Sequence, residues 1–284
     1  MGSFPGAEQM LGPDSTQLRL ATAGRVARAI GHYLHEELRS SRTPELTYKG
    51  EINIVTVCDK EAQRRIVKGL RTDYPGDTIY AEEGHQDGAL NMHASGWIVD
   101  PLDGTTNFAH KLPHFCVSIA YHVEGEVRLG VVYAPVLDEL YWASLGGGAF
   151  LNGLPIHVTQ TRRLREAVIA SGFPYDLRVP DRDNLKEWGA LIRRVRAMRC
   201  AGAAALDLCY TACGRYDAFW ELDLEPWDTA AGGLILAEAG GKVTTVRGES
   251  HTLLDRSLVA SNTELHSDLL AALGGVEDGK INSR

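Results

Sequence analysis

The segment at residues 100–108, which reads DPLDGTTNF, constrains this chain more than any other. It follows the apolar run GWIV at residues 96–99, which predicts a buried strand whose end is marked by the first aspartate. Pro101 lacks an amide proton and stiffens the chain, so we expect the strand to end there. The sequence therefore predicts a rigid strand that delivers carboxylates to the start of a loop, where functional sites concentrate.

Two carboxylates lie close together in this segment. Asp100 and Asp103 are three positions apart, and a turn between them can bring both to one side. Because like charges at that separation repel, they need a proton or a cation between them, and oxygen ligands of this kind suit Mg2+. The carbonyl of Leu102 is a natural additional ligand. For such a motif taken alone, an ordinary turn with an aspartate N-cap remains the alternative.

The residues that follow favour close approach of a ligand. Gly104 lets the backbone come near a bound group, and Thr105 and Thr106 are expected to open a short helical turn. Free amides at the start of a helix favour a phosphate. This one short segment thus contains candidate metal ligands, amides that could bind phosphate, and the hydroxyl groups of Thr105 and Thr106.

Three further acids stand at boundaries of predicted elements. Glu82 follows a short strand predicted at residues 77–81, although adjacent acids on a loop are often only solvated. Asp59 and Asp228 each precede an amphipathic run, and we expect both to be helix N-caps. An N-cap aspartate can still ligate a metal through its other carboxylate oxygen.

Hydrophobic periodicity predicts strands and helices that alternate in blocks along the chain, which favours a layered α/β or α+β fold. Helices are predicted at 16–38, 59–70, 183–198, 202–213, 228–238 and 263–273. Strands are predicted at 77–81, 96–99, 116–123, 126–135, 139–145, 168–172, 217–222, 242–246 and 258–262, with a loop at 40–51, an extended piece at 52–57 and a hairpin turn at 152–153. We divide the chain into a disordered N-terminus (1–15), an α+β half with the metal site (16–158) and an α/β half that completes it (159–284), the two halves forming one continuous unit.

Composition excludes several classes of protein. The formal net charge of −8 opposes binding to nucleic acid, and we interpret the arginine runs at 162–165 and 193–199 as solvated faces. No apolar run approaches the roughly 20 residues that a membrane span needs, so we expect no membrane partner. The five cysteines are odd in number and lack a CxxC pair, and the N-terminus lacks a signal-peptide pattern. A reduced, cytoplasmic setting is expected.

Taken together, these segments resemble the inositol monophosphatase family of magnesium-dependent, lithium-sensitive phosphatases. DPLDGTTNF fits the signature DPxDGTxNF, and PWDTAAGGLILAEAGG fits the second signature. The resemblance runs from about residue 18 to residue 273. It implies an α+β fold, a layered αβαβα sandwich of the sugar-phosphatase type, usually as a homodimer. It also implies Mg2+-dependent hydrolysis of a small phosphate monoester, first of all myo-inositol monophosphate, by a metal-activated water.

The resemblance also implies roles for the acidic residues. A first Mg2+ would be held by Glu82, Asp100 and the Leu102 carbonyl, and a second by Asp100, Asp103 and Asp228. A third, weaker Mg2+ would lie near Glu82.

The remaining roles concern water and substrate. Thr105, supported by Asp59 or Glu82, would orient the attacking water, and Lys49 would belong to a mobile loop. The residues implied to contact substrate are Leu102, Asp103, Gly104, Thr105, Gly202, Ala203, Ala204, Glu221 and Asp228.

Several alternatives stay open for the substrate. Glu221 suits a polyol or an amine such as histidinol phosphate, or is simply a surface acid, and Asp207 is similarly ambiguous. Ala203 replaces the usual Thr or Ser, which removes one possible hydrogen bond to substrate. Fructose 1,6-bisphosphate remains an alternative substrate, although basic residues for a second phosphate are few. A non-catalytic binding or regulatory protein on the same scaffold is the alternative from another class.

Overall fold

The computed structural model describes residues 13–40, 46–49, 53–84, 87–174 and 183–274. The helices are α1 (Pro13–Arg39), α2 (Val57–Asp73), α3 (Thr105–Ala109), α4 (Leu185–Ile192), α5 (Ala204–Ala212), α6 (Pro226–Glu238) and α7 (His266–Gly274), with a 3-10 turn at Leu164–Glu166. The strands are β1 (Leu46–Lys49), β2 (Asn53–Thr56), β3 (Thr78–Ala81), β4 (Ser95–Asp103), β5 (Cys116–Val123), β6 (Glu126–Ala134), β7 (Glu139–Ser144), β8 (Ala149–Leu151), β9 (Leu154–Pro155), β10 (Val168–Ser171), β11 (Ala197–Arg199), β12 (Ala218–Leu222), β13 (Gly241–Thr244) and β14 (Ser257–Asn262). Within these ranges, no helix is both long and apolar enough to cross a membrane.

Two larger sheets organise the molecule. A seven-stranded sheet runs in chain order from β3 to β9, and a five-stranded sheet has the order β11-β10-β12-β14-β13. Helices α1 and α2 pack on one face of the first sheet, α5 and α6 lie between the sheets, and α4 and α7 cover the far face of the second. This arrangement confirms the expected five-layer αβαβα sandwich of α+β class.

Neighbouring residues on one strand pack into different hydrophobic cores, one on each face of the sheet. Ile98 belongs to the core around α5 and α6, whereas Val99 belongs to the core beneath α1 and α2. On the second sheet, Phe219 faces the core around α5 and α6, and Trp220 faces the core with α4 and α7. Because both faces of each sheet are buried, the strands read as apolar runs instead of alternating patterns.

The first sheet and the middle helices approach each other very closely at one point. Gly130 on β6 lies against the backbone of α6, and a Cβ placed on it would stand 2.8 Å from the Cα and the carbonyl oxygen of Ala231. Backbone cannot yield as the end of a flexible side chain can. Only glycine therefore fits where β6 meets the helix that begins with the Asp228 turn.

Three predicted boundaries are wrong. The helix predicted at 183–198 is only α4, because residues 197–199 instead pair with β10 as an edge strand. The loop predicted at 40–51 contains β1, which pairs with β2 in a small antiparallel sheet. Strand β4 does not end at Pro101 but continues to Asp103, because the pairing shifts register there and Pro101 falls within the irregularity.

The proposed division of the chain stays a prediction. The larger sheets are drawn from residues 78–155 and 168–262, on either side of the boundary at 158–159. Helix α1 begins at Pro13, so residues 13–15 are helical, and the remainder of the N-terminal segment expected to be disordered lies outside the described residues.

The close approach at Gly130 can be tested by Gly130→Ala. We expect a loss of about 1–3 kcal/mol in the free energy of unfolding, because the added methyl group overpacks β6 against α6. Gly233→Ala is the matched control, since a Cβ at Gly233 in the same helix meets nothing within 4 Å. That variant should be stabilised by up to about 1 kcal/mol. Equal denaturant midpoints for the two variants would contradict the close-packing argument.

Candidate active site

The end of β4 holds the two aspartates of the DPLDGTTNF segment. Asp100 and Asp103 both pair with β5, but the pairing shifts register between them, so the intervening residues leave the regular ladder. The Leu102 amide donates a hydrogen bond to Asp100 Oδ1 at 2.9 Å, which closes a tight turn. The irregularity thus sets Asp100, the Leu102 carbonyl and Asp103 within one turn of chain.

Asp100 is the centre of an acidic cluster. It is only 2% exposed. Burial raises the pKa of Asp100 well above its usual range, and the nearby carboxylates of Glu82, Asp103 and Asp228 raise it further. The structure therefore brings together the four acids that the sequence predicted as metal ligands, although they come from separate parts of the chain.

Asp103 is held by the start of α5. The amides of Ala204 and Ala205 donate to its two carboxylate oxygens at 3.1 and 2.8 Å, and the Cys116 thiol lies 3.4 Å from Oδ2. Burial raises the pKa of Asp103 to about 6, with the Ala205 amide and the thiol opposing the increase. The positive end of the helix dipole thus compensates part of the buried charge.

Thr105 stands beside two oxygen acceptors. Its Oγ1 lies 2.9 Å from Asp59 Oδ1 and 3.1 Å from the Leu102 carbonyl oxygen, and its one proton can be donated to only one of them. The prediction that Asp59 is an N-cap is wrong, because α2 begins at Val57 and Asp59 lies inside its first turn. Asp59 is instead fully buried and reaches the DPLDGTTNF segment.

The predicted N-cap role of Asp228 also needs correction. Glu225 is the N-cap of α6, and Asp228 occupies the third helical position of a reciprocal capping box. Asp228 Oδ2 accepts a hydrogen bond from the Glu225 amide at 2.7 Å. Burial raises the pKa of Asp228 well above its usual range, and the charges of Asp103 and Glu82 add to the increase. The capping box anchors one carboxylate oxygen.

Glu82 lies directly after β3, as predicted, and its amide donates to the Val99 carbonyl at 3.2 Å. The turn is secured by Gln63 on α2, which accepts from the Glu83 amide at 2.8 Å and donates to the Glu83 carbonyl. Sequence reasoning missed Gln63. Its place one helical turn after Asp59, on the same face of α2, is the signal that could have identified it.

The loop before α5 approaches the DPLDGTTNF segment through Asn107. Its Nδ2 donates to the carbonyl oxygens of Ala201 at 2.8 Å and His114 at 2.7 Å. Gly202 has a φ of 82°, a left-handed conformation that favours glycine, and the buried Ala203 precedes α5 as its N-cap. Asn107 thus joins the two segments implied to contact substrate, a role that the sequence reasoning did not assign.

Glu221 comes at the end of β12, and its carboxylate lies against Gly172, where an added Cβ would overlap it. Burial raises the pKa of Glu221 well above its usual range, and the charges of Asp228, Asp207 and Asp103 raise it further. Lys49 is the last residue of β1, not part of a loop, and its side chain lies outside the described residues. The structure therefore brings Glu221 to the acidic cluster, whereas the role of Lys49 stays a prediction.

The chemistry of this cluster fits a divalent cation. Every candidate ligand is an oxygen, and the buried carboxylates penalise one another when ionised, a penalty that a bound cation removes. No group of three or more His, Cys, Asp or Glu side chains in the described part of the chain is already arranged to hold a metal ion. The four acids therefore lie near one another, but their side chains are not yet arranged around a single metal position.

Comparisons with known proteins identify the family of the chain. The model of the inositol monophosphatase family matches residues 16–276. An inositol-1-monophosphatase of Caulobacter vibrioides is 41% identical over 81% of this chain and 90% of its own. The Nus factor SuhB of Pseudomonas aeruginosa is 40% identical over 90% of this chain and 96% of its own.

A solved structure shows the same fold. The extragenic suppressor protein suhB of Bartonella henselae superposes with a TM-score of 0.85 at 35% identity, covering 91% of this chain and 99% of its own. In this chain, the acidic cluster lies where β4, α5 and α6 meet. The chain belongs to the inositol monophosphatase family and is a phosphoric monoester hydrolase.

Proposed function

We propose that this protein hydrolyses the phosphate monoester of a small polyol, first of all myo-inositol monophosphate, with Mg2+ as its cofactor. The observation that carries the proposal is the cluster of four carboxylates around the end of β4, in which Asp100 and Asp103 are buried and the pKa of Asp100 is raised by burial and then by its neighbours. Such a cluster is poorly suited to a metal-free protein near neutral pH. It is well suited to a cation that binds together with phosphate.

The acids divide between two Mg2+ positions. Glu82, Asp100 and the Leu102 carbonyl would hold the first, and Asp100, Asp103 and Asp228 the second, with a weaker third near Glu82. Bound Mg2+ supplies positive charge that neutralises the phosphate, lowers the pKa of a water and stabilises the leaving oxygen. Asp103 and Asp228 contribute oxygens that are already oriented, by α5 and by the capping box respectively.

Thr105 and Asp59 are suited to orient the attacking water. When the Thr105 hydroxyl donates its hydrogen bond to Asp59, its oxygen lone pair is free to accept a hydrogen bond from the attacking water. The amides of Thr105 and Thr106 begin α3 and have no partner within the helix, so they can bind phosphate oxygens. Gly104, with a φ of 95°, lets the backbone turn towards that phosphate.

The alcohol part of the substrate would lie against Glu221 and the loop at 202–204. A carboxylate accepts hydrogen bonds from neighbouring hydroxyl groups, which favours a polyol, and the same charge would accept the amine of histidinol phosphate. The apolar Ala203 leaves substrate orientation to Glu221, because the Ala204 amide already donates to Asp103. Fructose 1,6-bisphosphate is the less favoured alternative, because few basic side chains are associated with the site.

A regulatory role is a second candidate. Among the relatives, the proteins of Pseudomonas aeruginosa and Escherichia coli are named Nus factor SuhB. A role of that kind would use the surface of the sandwich instead of its acidic cluster. A variant that is folded but catalytically inactive separates the two roles.

The metal role of Asp103 predicts the behaviour of Asp103→Asn. We expect Mg2+-dependent phosphate release from inositol monophosphate to fall by roughly a hundredfold or more, since charge stabilisation by metals is worth several kcal/mol. Asp268→Asn makes the same chemical change at an exposed position on α7 and should retain the wild-type rate. Absence of phosphate release from the wild-type protein with Mg2+ and any small monoester would refute the proposed function.

The buried acids also predict a dependence of stability on pH. The folded metal-free protein retains a proton on Asp103 up to about pH 6, whereas the unfolded chain releases it near its ordinary pKa of 3.8. Because the folded state binds more protons in this window, stability should be greatest below it and fall as pH rises through it. Asp100 and Asp228 act in the same direction.

The measurement is the melting temperature in chelator from pH 4.5 to 7.5. The fall with pH should be smaller in Asp103→Asn than in the wild type or in Asp268→Asn, and saturating Mg2+ should reduce it in the wild type. Parallel curves for all three proteins would show that the buried charge of Asp103 does not limit stability.

Contact between Glu221 and the alcohol predicts a substrate-dependent effect of Glu221→Gln. The KM for inositol monophosphate should rise about tenfold or more, because hydrogen bonds to a charged acceptor are lost. Hydrolysis of p-nitrophenyl phosphate, which lacks the polyol, should change little. Steady-state kinetics on both substrates test this, and equal effects on the two would place Glu221 outside the alcohol site.

A further inference from the structure

The partly buried His114 and the buried Asp207 form a pair that the proposed reaction does not use. His114 lies on the segment between α3 and β5, and Asp207 lies in the first turn of α5, only 1% exposed. His114 Nε2 is 3.5 Å from Asp207 Oδ1, an ion-pair distance. Neither atom makes a hydrogen bond in the described part of the chain, so each has the other as its polar neighbour.

His114 offsets part of the cost of burying the Asp207 carboxylate. Burial raises the pKa of Asp207, and the interaction with His114 opposes the increase. On the other side, the His114 ring packs edge-on against Tyr210 of α5, with the centroids 5.6 Å apart. The imidazole is therefore held against α5 by a polar contact with Asp207 and by a ring contact with Tyr210.

The backbone of His114 supports the DPLDGTTNF segment. Its carbonyl oxygen accepts the 2.7 Å hydrogen bond from Asn107 Nδ2. The same oxygen lies under Gly104, where an added Cβ would stand 3.0 Å away. A shift of His114 would consequently displace the turn that follows Asp103.

The other end of the pair supports Asp103 itself. Asp207 belongs to the same helical turn whose Ala204 and Ala205 amides bind the two oxygens of Asp103. The pair therefore joins the segment beneath Gly104 to the helix terminus that orients the carboxylate. Without His114, α5 would have to move towards solvent or bury an uncompensated carboxylate.

We propose that His114 and Asp207 are positioning residues that hold α5 against Asp103 and so set the affinity of the site for Mg2+. The inference rests on the proposed function, since it concerns the Mg2+ that Asp103 would bind. Partners that orient a ligand carboxylate typically contribute about 10–100-fold to metal affinity. The contribution would come from orientation, because neither residue needs to touch the metal.

The experiment compares His114→Phe with His114→Gln. Phenylalanine fills the space of the ring but removes the donor, whereas the glutamine amide can donate from near the position of Nε2. His114→Phe should raise the half-saturating Mg2+ concentration about tenfold or more, measured both by phosphate release and by the rise in melting temperature with Mg2+. His114→Gln should restore most of the wild-type affinity on both measurements.

A second histidine supplies the control for stability alone. His266 is buried on α7 between the hydroxyls of Thr244 and Ser261, in the outer layer beyond the second sheet. His266→Phe should lower the melting temperature and leave the Mg2+ requirement unchanged. If His114→Phe behaves as His266→Phe does, the positioning role is refuted.

A double variant keeps the inference testable if His114→Phe alone does not fold. His114→Phe combined with Asp207→Asn leaves no unpaired buried charge, so this protein should fold and still require about tenfold more Mg2+. A wild-type Mg2+ requirement in the double variant would overturn the inference while the phosphatase reaction stands. A wild-type protein that neither releases phosphate nor is stabilised by Mg2+ would overturn the proposed function, and the inference with it.

Discussion

The mutual repulsion of buried carboxylates at the end of β4 is the constraint on which the rest of the site depends. Asp100 is almost completely buried, and its neighbours raise its pKa instead of lowering it. The protein compensates only part of this charge, through the amides at the start of α5 and the capping box of α6. The uncompensated part is the charge that the proposed Mg2+ ions would neutralise, and the helices between the two sheets hold the carboxylates in place.

Much of the architecture could be predicted because it depends on local signals. Apolar runs identified most of the strands of both larger sheets, and the DPLDGTTNF segment placed Asp100 and Asp103 at the end of β4. The errors arose where tertiary pairing overrides local preference. Residues 197–199 continue a helical pattern but complete the edge of a sheet, and Pro101 falls within a strand because the ladder is irregular there.

The supporting residues of the site could not be predicted from sequence alone. Gln63, Asn107 and His114 act on backbone or side chains that are distant in sequence, and amides or a histidine at such places are common in any soluble protein. Asp59 and Asp228 were assigned as N-caps because aspartate near a helix start usually has that role. Helix α2 instead begins at Val57 and the N-cap of α6 is Glu225, so both aspartates lie inside the first turn of their helices.

The contacts of the site also join remote parts of the chain. The hydrogen bond from Thr105 to Asp59 spans 46 residues, and that from Ala205 to Asp103 spans 102. Contacts that close such long loops form late in folding, after local helices and hairpins. A nascent chain on the ribosome can complete the first sheet, but it cannot complete the surroundings of Asp103 until α5 has emerged. The proposed second Mg2+ position, which needs Asp103 and Asp228 together, can therefore be completed only after α5 and α6 have been synthesised.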